Sequence, residues 1–147
     1  MFHRNILERN ILFLCQDNSS TSQMAEAVAK RLVPPKTRIF SAGLTPGTLH
    51  HAAVEVMQEV GIDISTQIPK GLEAIPMDEI DLVVNLGIAK DDCALLPGKA
   101  KLECWFFPSA QRFGEEKTAV RAALRYVRDE IDKKVAALLL DYWRNVA

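Results

Sequence analysis

Segments with the pattern of a buried strand alternate along this chain with segments that have the pattern of an amphipathic helix. Short apolar runs, typical of strands buried on both faces, occupy residues 10–14, 38–43, 81–87 and 101–107. Apolar residues at helical spacing cover residues 22–32, 51–60 and about 115–145. This alternation is typical of a parallel sheet, because a helix must carry the chain back between parallel strands. The sequence therefore predicts an α/β fold in which helices pack on a four-stranded parallel sheet.

The predicted helices define the residues expected in the core. We expect Leu32 to lie on the buried face of the first helix and Val60 on that of the second. Two prolines after residue 33 end the first helix, and Gly61 is the expected stop of the second. With 147 residues, 48% of them apolar, the chain has enough apolar material for one core. We predict a single domain at residues 10–147, preceded by an extension at residues 1–9.

Charge and cysteine content restrict the classes of function. A net charge of −1 and a pI near 6.3 argue against nucleic acid or an anionic membrane as partner. No apolar run has the roughly 18 residues of a membrane span, and the start of the chain does not resemble a signal peptide. Three cysteines are too few and odd in number for a disulfide scaffold. We therefore expect a cytoplasmic protein with reduced thiols.

The first predicted strand leads directly into Cys15, which is followed by seven polar or small residues and a helix. Ligands of open α/β sheets lie at the carboxyl ends of strands, where the next helix begins. Backbone N–H groups and the helix N-terminus bind anions there and favour a thiolate nucleophile. We place the helix N-cap at Ser22. The pattern fits a nucleophile loop and a buried cysteine in a serine-rich connection equally well.

Particular residues of this stretch carry a family resemblance. Cys15, Asn18, Ser20 and the run 22–26 (SQMAE) resemble the active-site loop of the low-molecular-weight protein tyrosine phosphatase and thioredoxin-coupled arsenate reductase family. That loop reads C-x-x-N-x-(C/S)-R-S, with QMAE following in the reductase branch. Further similar segments are residues 41–43, 53–65, 81–86 and 125–131. The resemblance implies the fold of that family, an open four-stranded parallel sheet with helices on both faces.

The resemblance also implies roles for individual residues. Cys15 would be the nucleophile, Asn18 the organiser of the loop and Ser22 the stabiliser of the thiolate. The implied anion-binding loop comprises Cys15, Gln16, Asp17, Asn18, Ser19, Ser20, Thr21 and Ser22. The implied ligand is phosphate, arsenate or another oxyanion, and no cofactor is implied.

Three positions depart from the family pattern. Thr21 stands where the family has an arginine, and threonine cannot make the bidentate contact of a guanidinium to two oxygens. Asp17 replaces a small residue, and its carboxylate repels an anionic substrate and disfavours a neighbouring thiolate. In the segment 105–110 (WFFPSA), Ser109 occupies the position of the catalytic general acid. Losing an oxyanion donor costs about 10²–10³ in rate and losing a general acid about 10²–10⁴. We therefore expect weak or no turnover.

The remaining candidate site residues are a cation in place of the family's arginine and a second thiol that reacts with Cys15. Arg112 and Lys90 are the nearest cations in the predicted loops, although a solvated surface position is the commoner case for such residues. Relatives in the reductase branch carry two more cysteines after the third strand; the first of these is Gly87 here, and Cys93 lies near the second. Cys93 is either a redox partner of Cys15 or an inert loop thiol. Cys104 falls in a predicted strand, and we expect it to be a buried small apolar residue.

Three functions remain open from the sequence. The first is a diverged phosphatase or arsenate reductase that uses Cys15. The second is a non-catalytic binding or regulatory module with a protein partner. The third is a thiol redox switch of Cys15 and Cys93. His50 and His51 are adjacent and point in different directions, so we predict no metal site.

Overall fold

The computed structural model describes residues 9–107 and 116–146, without the side chains of residues 142–146. The strands of this part are β1 (Asn10–Cys15), β2 (Arg38–Gly43), β3 (Leu82–Asn85) and β4 (Lys101–Cys104). Its α-helices are α1 (Thr21–Leu32), α2 (His51–Gln58), α3 (Lys90–Cys93) and α4 (Lys117–Val146). Two 3-10 turns, Leu72–Ala74 and Met77–Glu79, lie between α2 and β3. The sequence did not predict these turns or α3.

The four strands form one parallel sheet with the order β2-β1-β3-β4. Strand β1 lies inside the sheet, and all six of its residues are buried. In the register, Cys15 pairs with Gly43 on one side, and Asn85 of β3 pairs with Leu14 of β1 and Cys104 of β4. The predicted α/β fold with a four-stranded parallel sheet is confirmed.

Both faces of the sheet are covered, but by elements of different size. Helices α1, α2 and α4 pack on the face that carries Ile11, Phe13 and Cys15. The other face carries Leu12 and Leu14 and is covered by the 3-10 turns and the segment around α3. Alternate residues of β1 thus enter two separate cores, as the period of a strand requires. Helices on both faces are confirmed.

Several local predictions are wrong, each for a physical reason. Leu32 is 41% exposed because it is the last residue of α1. Val60 is 44% exposed because α2 ends at Gln58 and a turn follows, in which Gly61 has a φ of 77°. Cys104 is exposed, not buried, because β4 is an edge strand whose four residues are all exposed.

The predicted ends of two strands are also wrong. The third and fourth strands end at Asn85 and Cys104, earlier than predicted. Residues 1–8 lie outside the described part, and the domain boundary at residue 10 stays a prediction. No helix among the described residues is both long and apolar enough to cross a membrane.

Candidate active site

The predicted anion-binding loop connects the end of β1 to the start of α1. Strand β1 ends at Cys15, and α1 begins at Thr21 with Ser20 as its N-cap residue. The prediction that Ser22 is the N-cap is therefore wrong; Ser22 is the second residue of the helix. The Ser20 side chain makes no capping hydrogen bond, so the first N–H groups of α1 have no such partner.

The Cys15 sulfur lies within the first turn of α1. Its Sγ is 2.8 Å from Ser22 Oγ, and the backbone N–H of Asn18 donates to it over 3.1 Å. Ser22 Oγ also accepts a hydrogen bond from Asn18 Nδ2 at 2.8 Å, and either Ser22 Oγ or Cys15 Sγ can be the donor of the contact between them. Cys15 is buried and Ser22 fully so. One backbone N–H and one hydroxyl therefore contact the sulfur beside the start of α1.

Asn18 holds the shape of the loop. Its backbone has a φ of 55°, in the left-handed region that asparagine tolerates better than most residues. The side chain is fully buried. Nδ2 donates to Ser22 and to Ser41 Oγ at 3.0 Å, and Oδ1 accepts from Gln23 Nε2 at 2.9 Å and the Lys70 backbone N–H at 3.0 Å. This one amide therefore ties the loop to α1, to β2 and to the segment after α2.

A buried carboxylate lies behind this network. Ser41 Oγ donates to Glu26 Oε1 over 2.7 Å, and Glu26 is only 4% exposed. Lys30 Nζ lies 3.1 Å from Glu26 Oε2, and Lys70 Nζ lies 3.6 Å from Oε1. A buried carboxylate needs such partners. Ser41 and Lys70 were not among the predicted site residues; the similar segment 41–43 was the only signal in the sequence for Ser41, and none existed for Lys70.

The loop packs directly against the end of β2. A Cβ added to Gly43 would lie 2.7 Å from the backbone nitrogen of Asn18 and 2.7 Å from the backbone carbonyl carbon of Asp17. Only glycine allows this approach. The loop carbonyls of Gln16 and Asp17 accept hydrogen bonds from the backbone after β2, as that of Ser19 does from His50 N at 2.8 Å. The shape of the loop is therefore fixed by backbone packing as well as by Asn18.

Asp17 uses its carboxylate within the loop. Its Oδ1 accepts hydrogen bonds from Ser19 Oγ at 2.8 Å and from the Ser19 backbone N–H at 3.2 Å. The side chain is exposed. A backbone N–H that serves this internal carboxylate is not free for an external oxyanion. Thr21 and Gln16 complete the solvent-facing side of the loop; Thr21 is half-buried and Gln16 exposed.

The structure does not place every predicted site residue. Ser109 and Arg112 lie outside the described residues. Lys90 is exposed at the start of α3. Lys70 contacts the loop through its backbone N–H, which donates to Asn18, but its ammonium faces Glu26 at 3.6 Å.

Cys93 lies on the opposite face of the sheet from Cys15. It ends α3 and packs, half-buried, against the core of Leu12 and Leu14, whereas Cys15 belongs to the other core. The Cys93 sulfur accepts a hydrogen bond from Asn85 Nδ2 over 3.1 Å. Burial raises the pKa of the Cys93 thiol, and Cys104 and Asp92 raise it further, against the Asn85 hydrogen bond. The pairing of Cys93 with Cys15 stays a prediction.

The two adjacent histidines serve helix α2. His50 Nδ1 accepts a hydrogen bond from the Ala52 backbone N–H over 3.1 Å, and His51 Nε2 lies 2.9 Å from Glu55. Within the described ranges, no group of three or more His, Cys, Asp or Glu residues is arranged to hold a metal ion.

Known proteins are similar to this chain in sequence and in fold. The arsenate reductase of Bacillus subtilis is 39% identical over 126 residues, which cover 85% of this chain and 91% of the relative. A solved arsenate reductase in a phosphate-binding state has a TM-score of 0.72 and 28% identity, over 91% of this chain and 98% of the other. A tyrosine phosphatase of Erwinia amylovora shares the fold, with a TM-score of 0.69 and 20% identity over 88% of this chain and 92% of its own.

The family match extends over nearly the whole chain. The profile of the low molecular weight phosphotyrosine protein phosphatases matches residues 10–146, a range that includes the Cys15 loop, all four strands and α4. The identity to the Bacillus subtilis arsenate reductase also exceeds 30% over most of both chains. These two findings confirm the resemblance found in the sequence. The chain belongs to the low molecular weight phosphotyrosine protein phosphatase family.

Proposed function

We propose that this protein binds an oxyanion through the loop of residues 15–22 and has weak or no phosphatase or arsenate reductase turnover. The observation that carries the proposal is the pair of changes in that loop. Thr21 replaces the charged fork that would clamp the ligand, and the Asp17 carboxylate takes up the Ser19 N–H. The ligand class follows from relatives named as arsenate reductases, one of them solved in a phosphate-binding state.

The remaining geometry supports retained anion binding. The Cys15 sulfur accepts a hydrogen bond from the Asn18 N–H and contacts the Ser22 hydroxyl, at the start of a helix of 12 residues. Such a helix end offers unpaired N–H groups and partial positive charge to an anion. Thr21 contributes only a hydroxyl, so binding depends on the backbone. We expect affinity for a dianion to be low because Asp17 adds a negative charge at the rim.

The missing chemistry supports weak turnover. An oxyanion donor is worth about 10²–10³ in rate, and Thr21 does not supply the charged one. A general acid is worth about 10²–10⁴, and the hydroxyl of Ser109 is too weak an acid to protonate a leaving group. Such losses are often not additive, but even the smaller of them leaves catalysis far below that of an intact site.

The experiment measures release of p-nitrophenol from p-nitrophenyl phosphate by the reduced protein. Cys15→Ser is the control for chemistry at the loop. The double variant Thr21→Arg with Asp17→Gly restores the clamp and removes the repelling charge. We expect no Cys15-dependent release by the unaltered protein and measurable release by the double variant. Cys15-dependent turnover in the unaltered protein at rates typical of enzymes, about 1 s⁻¹ or more, would contradict the proposal.

A second measurement tests binding separately from turnover. Titration calorimetry with inorganic phosphate, and in parallel with arsenate, reports occupancy of the loop without requiring catalysis. We expect weak binding that strengthens in Asp17→Asn, which removes the charge and keeps the size of the side chain. No heat in either protein, in a folded sample, would contradict the oxyanion site.

A non-catalytic binding or regulatory role is the alternative, and the same loop favours it. The changes at positions 17 and 21 remove chemistry, whereas Asn18, Ser22 and Gly43 keep the geometry. If the unaltered protein is silent with substrate but binds phosphate, the loop serves recognition. An anionic group on a protein partner is then the ligand class to test.

A further inference from the structure

Two cysteines outside the Cys15 loop share one side-chain amide. Asn85 Nδ2 lies 3.1 Å from the Cys93 sulfur and 3.8 Å from the Cys104 sulfur. Both distances start from the same nitrogen, so the two sulfurs are at most about 7 Å apart, while a disulfide needs about 2 Å. A change between staggered χ1 conformations moves a cysteine sulfur by about 3 Å, so rotation of both side chains together covers a gap of this size.

We propose that Cys93 and Cys104 form a redox-active dithiol, which closes to an intramolecular disulfide by exchange with a low-molecular-weight disulfide. The site is separate from the Cys15 loop and does not rest on the function proposed for it.

The sheet brings the two cysteines to the same face. Asn85 and Cys104 are paired neighbours on the parallel strands β3 and β4, so their side chains point in the same direction. Cys93 reaches that face from the connection between the two strands and packs on the core below it. Cys15 belongs to the core on the other side of the sheet. In this conformation Cys93 is therefore positioned for Cys104 and not for Cys15.

The surroundings allow the bond to form without breaking the local structure. Asn85 is buried, and its Oδ1 accepts from the backbone N–H groups of Gly87 and Ile88 at 2.9 Å and 2.8 Å. Its Nδ2 also donates to the Ile88 carbonyl at 3.0 Å. Loss of the contacts to sulfur thus leaves the amide with three other hydrogen bonds. Cys104 is exposed on an edge strand and has room to turn.

The two thiols have different roles in the exchange. Cys104 is exposed and meets the external disulfide first, whereas the half-buried Cys93 thiol has a raised pKa. The Cys104 thiolate attacks one sulfur of the external disulfide, forms a mixed disulfide and releases one thiol. The Cys93 thiolate then attacks the Cys104 sulfur and releases the second thiol. Two cysteine thiols and one disulfide give one protein disulfide and two small thiols.

The experiment maps disulfides after the reduced protein is treated with glutathione disulfide. Free thiols are alkylated in acid-quenched samples, and the protein is digested with trypsin without reduction. Cys93, Cys104 and Cys15 fall in the separate tryptic peptides 91–99, 102–112 and 10–30. We expect 91–99 to be joined to 102–112, with the peptide 10–30 alkylated. Lys99 and Lys101 lie between the two cysteines. A chain that trypsin has cut only at one of these lysines will therefore run as a single species on a denaturing gel until the disulfide is reduced.

Matched variants identify the order of events. Cys93→Ser stops at a glutathione adduct on Cys104, and Cys104→Ser loses the intramolecular bond. Cys15→Ser forms the bond as the unaltered protein does, which keeps this test independent of any phosphatase assay. A bond between the peptides 10–30 and 91–99, a bond only between two molecules, or glutathione adducts that never resolve in the unaltered protein would each overturn the proposal. Disulfide mapping of the unaltered protein tests the Cys93–Cys104 bond even if a variant does not fold.

Discussion

Replacing Asn18 with alanine tests whether a single side chain holds the Cys15 loop in place. The side chain is fully buried and makes four hydrogen bonds, to Ser22, Ser41, Gln23 and the Lys70 backbone N–H. Each hydrogen bond is worth about 1 kcal/mol net, and a buried group left without a partner costs about 1–3 kcal/mol. The positive φ adds about 1–2 kcal/mol for alanine.

The network limits how far these costs add. Ser22, Ser41 and Gln23 each keep another hydrogen bond when the amide is removed. Among the described residues, the Lys70 N–H has no second acceptor. We therefore expect Asn18→Ala to lower the free energy of unfolding by about 4 kcal/mol, a large share of the 5–15 kcal/mol typical of a domain. With a urea m-value of about 2 kcal/mol/M, the midpoint of urea unfolding falls by about 2 M.

Asn18→Gly is the matched control, because glycine adopts the same φ without strain. Its extra freedom in the unfolded chain costs about 0.4–1 kcal/mol, so we expect it to be more stable than Asn18→Ala by about 0.5–1 kcal/mol. Urea unfolding followed by circular dichroism measures the free energy of unfolding of both variants, which is compared at equal m-values. A loss below about 1 kcal/mol in Asn18→Ala, a small share of the domain stability, or a glycine variant less stable than alanine, would refute the reasoning.

Three further predictions concern residues outside the loop of residues 15–22. Gly43→Ala should destabilise by about 1–3 kcal/mol because its Cβ meets loop backbone at 2.7 Å, while Gly87→Ala, with open space, changes the melting temperature little. Trp105→Ala should cost about 3–5 kcal/mol in urea unfolding, since the ring is buried in the core. The hydrogen bond from Arg125 is the largest cause that lowers the pKa of Glu59 from 4.5 to about 2; the hydrogen bond from Arg128 and the charges of both arginines add to it, against desolvation. The stabilisation that follows is present above pH 4.5 and lost as the pH falls towards 2; a carboxyl NMR titration should give Glu59 a higher pKa in Arg125→Gln.

The sheet was predictable from the sequence because its two inner strands, β1 and β3, are buried on both faces. Residues of β1 enter two cores, so the strand reads as an unbroken apolar run that has no other stable placement. The resemblance then supplied the loop and its position. Cys104 shows the limit of this reasoning: a strand pattern does not reveal that β4 lies at the edge of the sheet, and burial depends on that neighbour relation. That Cys104 and Cys93 lie near the same Asn85 amide was invisible for the same reason.

The contacts behind the loop were also beyond sequence reasoning. Asn18 and Lys70 are 52 positions apart and meet through a backbone N–H, which leaves no trace in the residue type. Ser22 was taken for an N-cap because serine is common there. Its hydroxyl instead contacts Cys15 and Asn18. The helix starts at Thr21, and its N-cap residue is Ser20, whose side chain makes no capping hydrogen bond.

The shape of the loop and its chemistry depend on different residues, which explains how one can persist without the other. The shape of the loop is held from the side of the protein interior by hydrogen bonds that involve Asn18 and the buried Glu26, and by close backbone packing at Gly43. None of these contacts involves the side chain of Thr21, which is half-buried at the start of α1. On the proposed function, Thr21 in place of the family's arginine therefore lowers the positive charge of the loop and leaves these contacts unchanged. The same separation makes the restored loop informative: if Thr21→Arg with Asp17→Gly stays folded but remains inactive, the general-acid position at Ser109 is the next to restore.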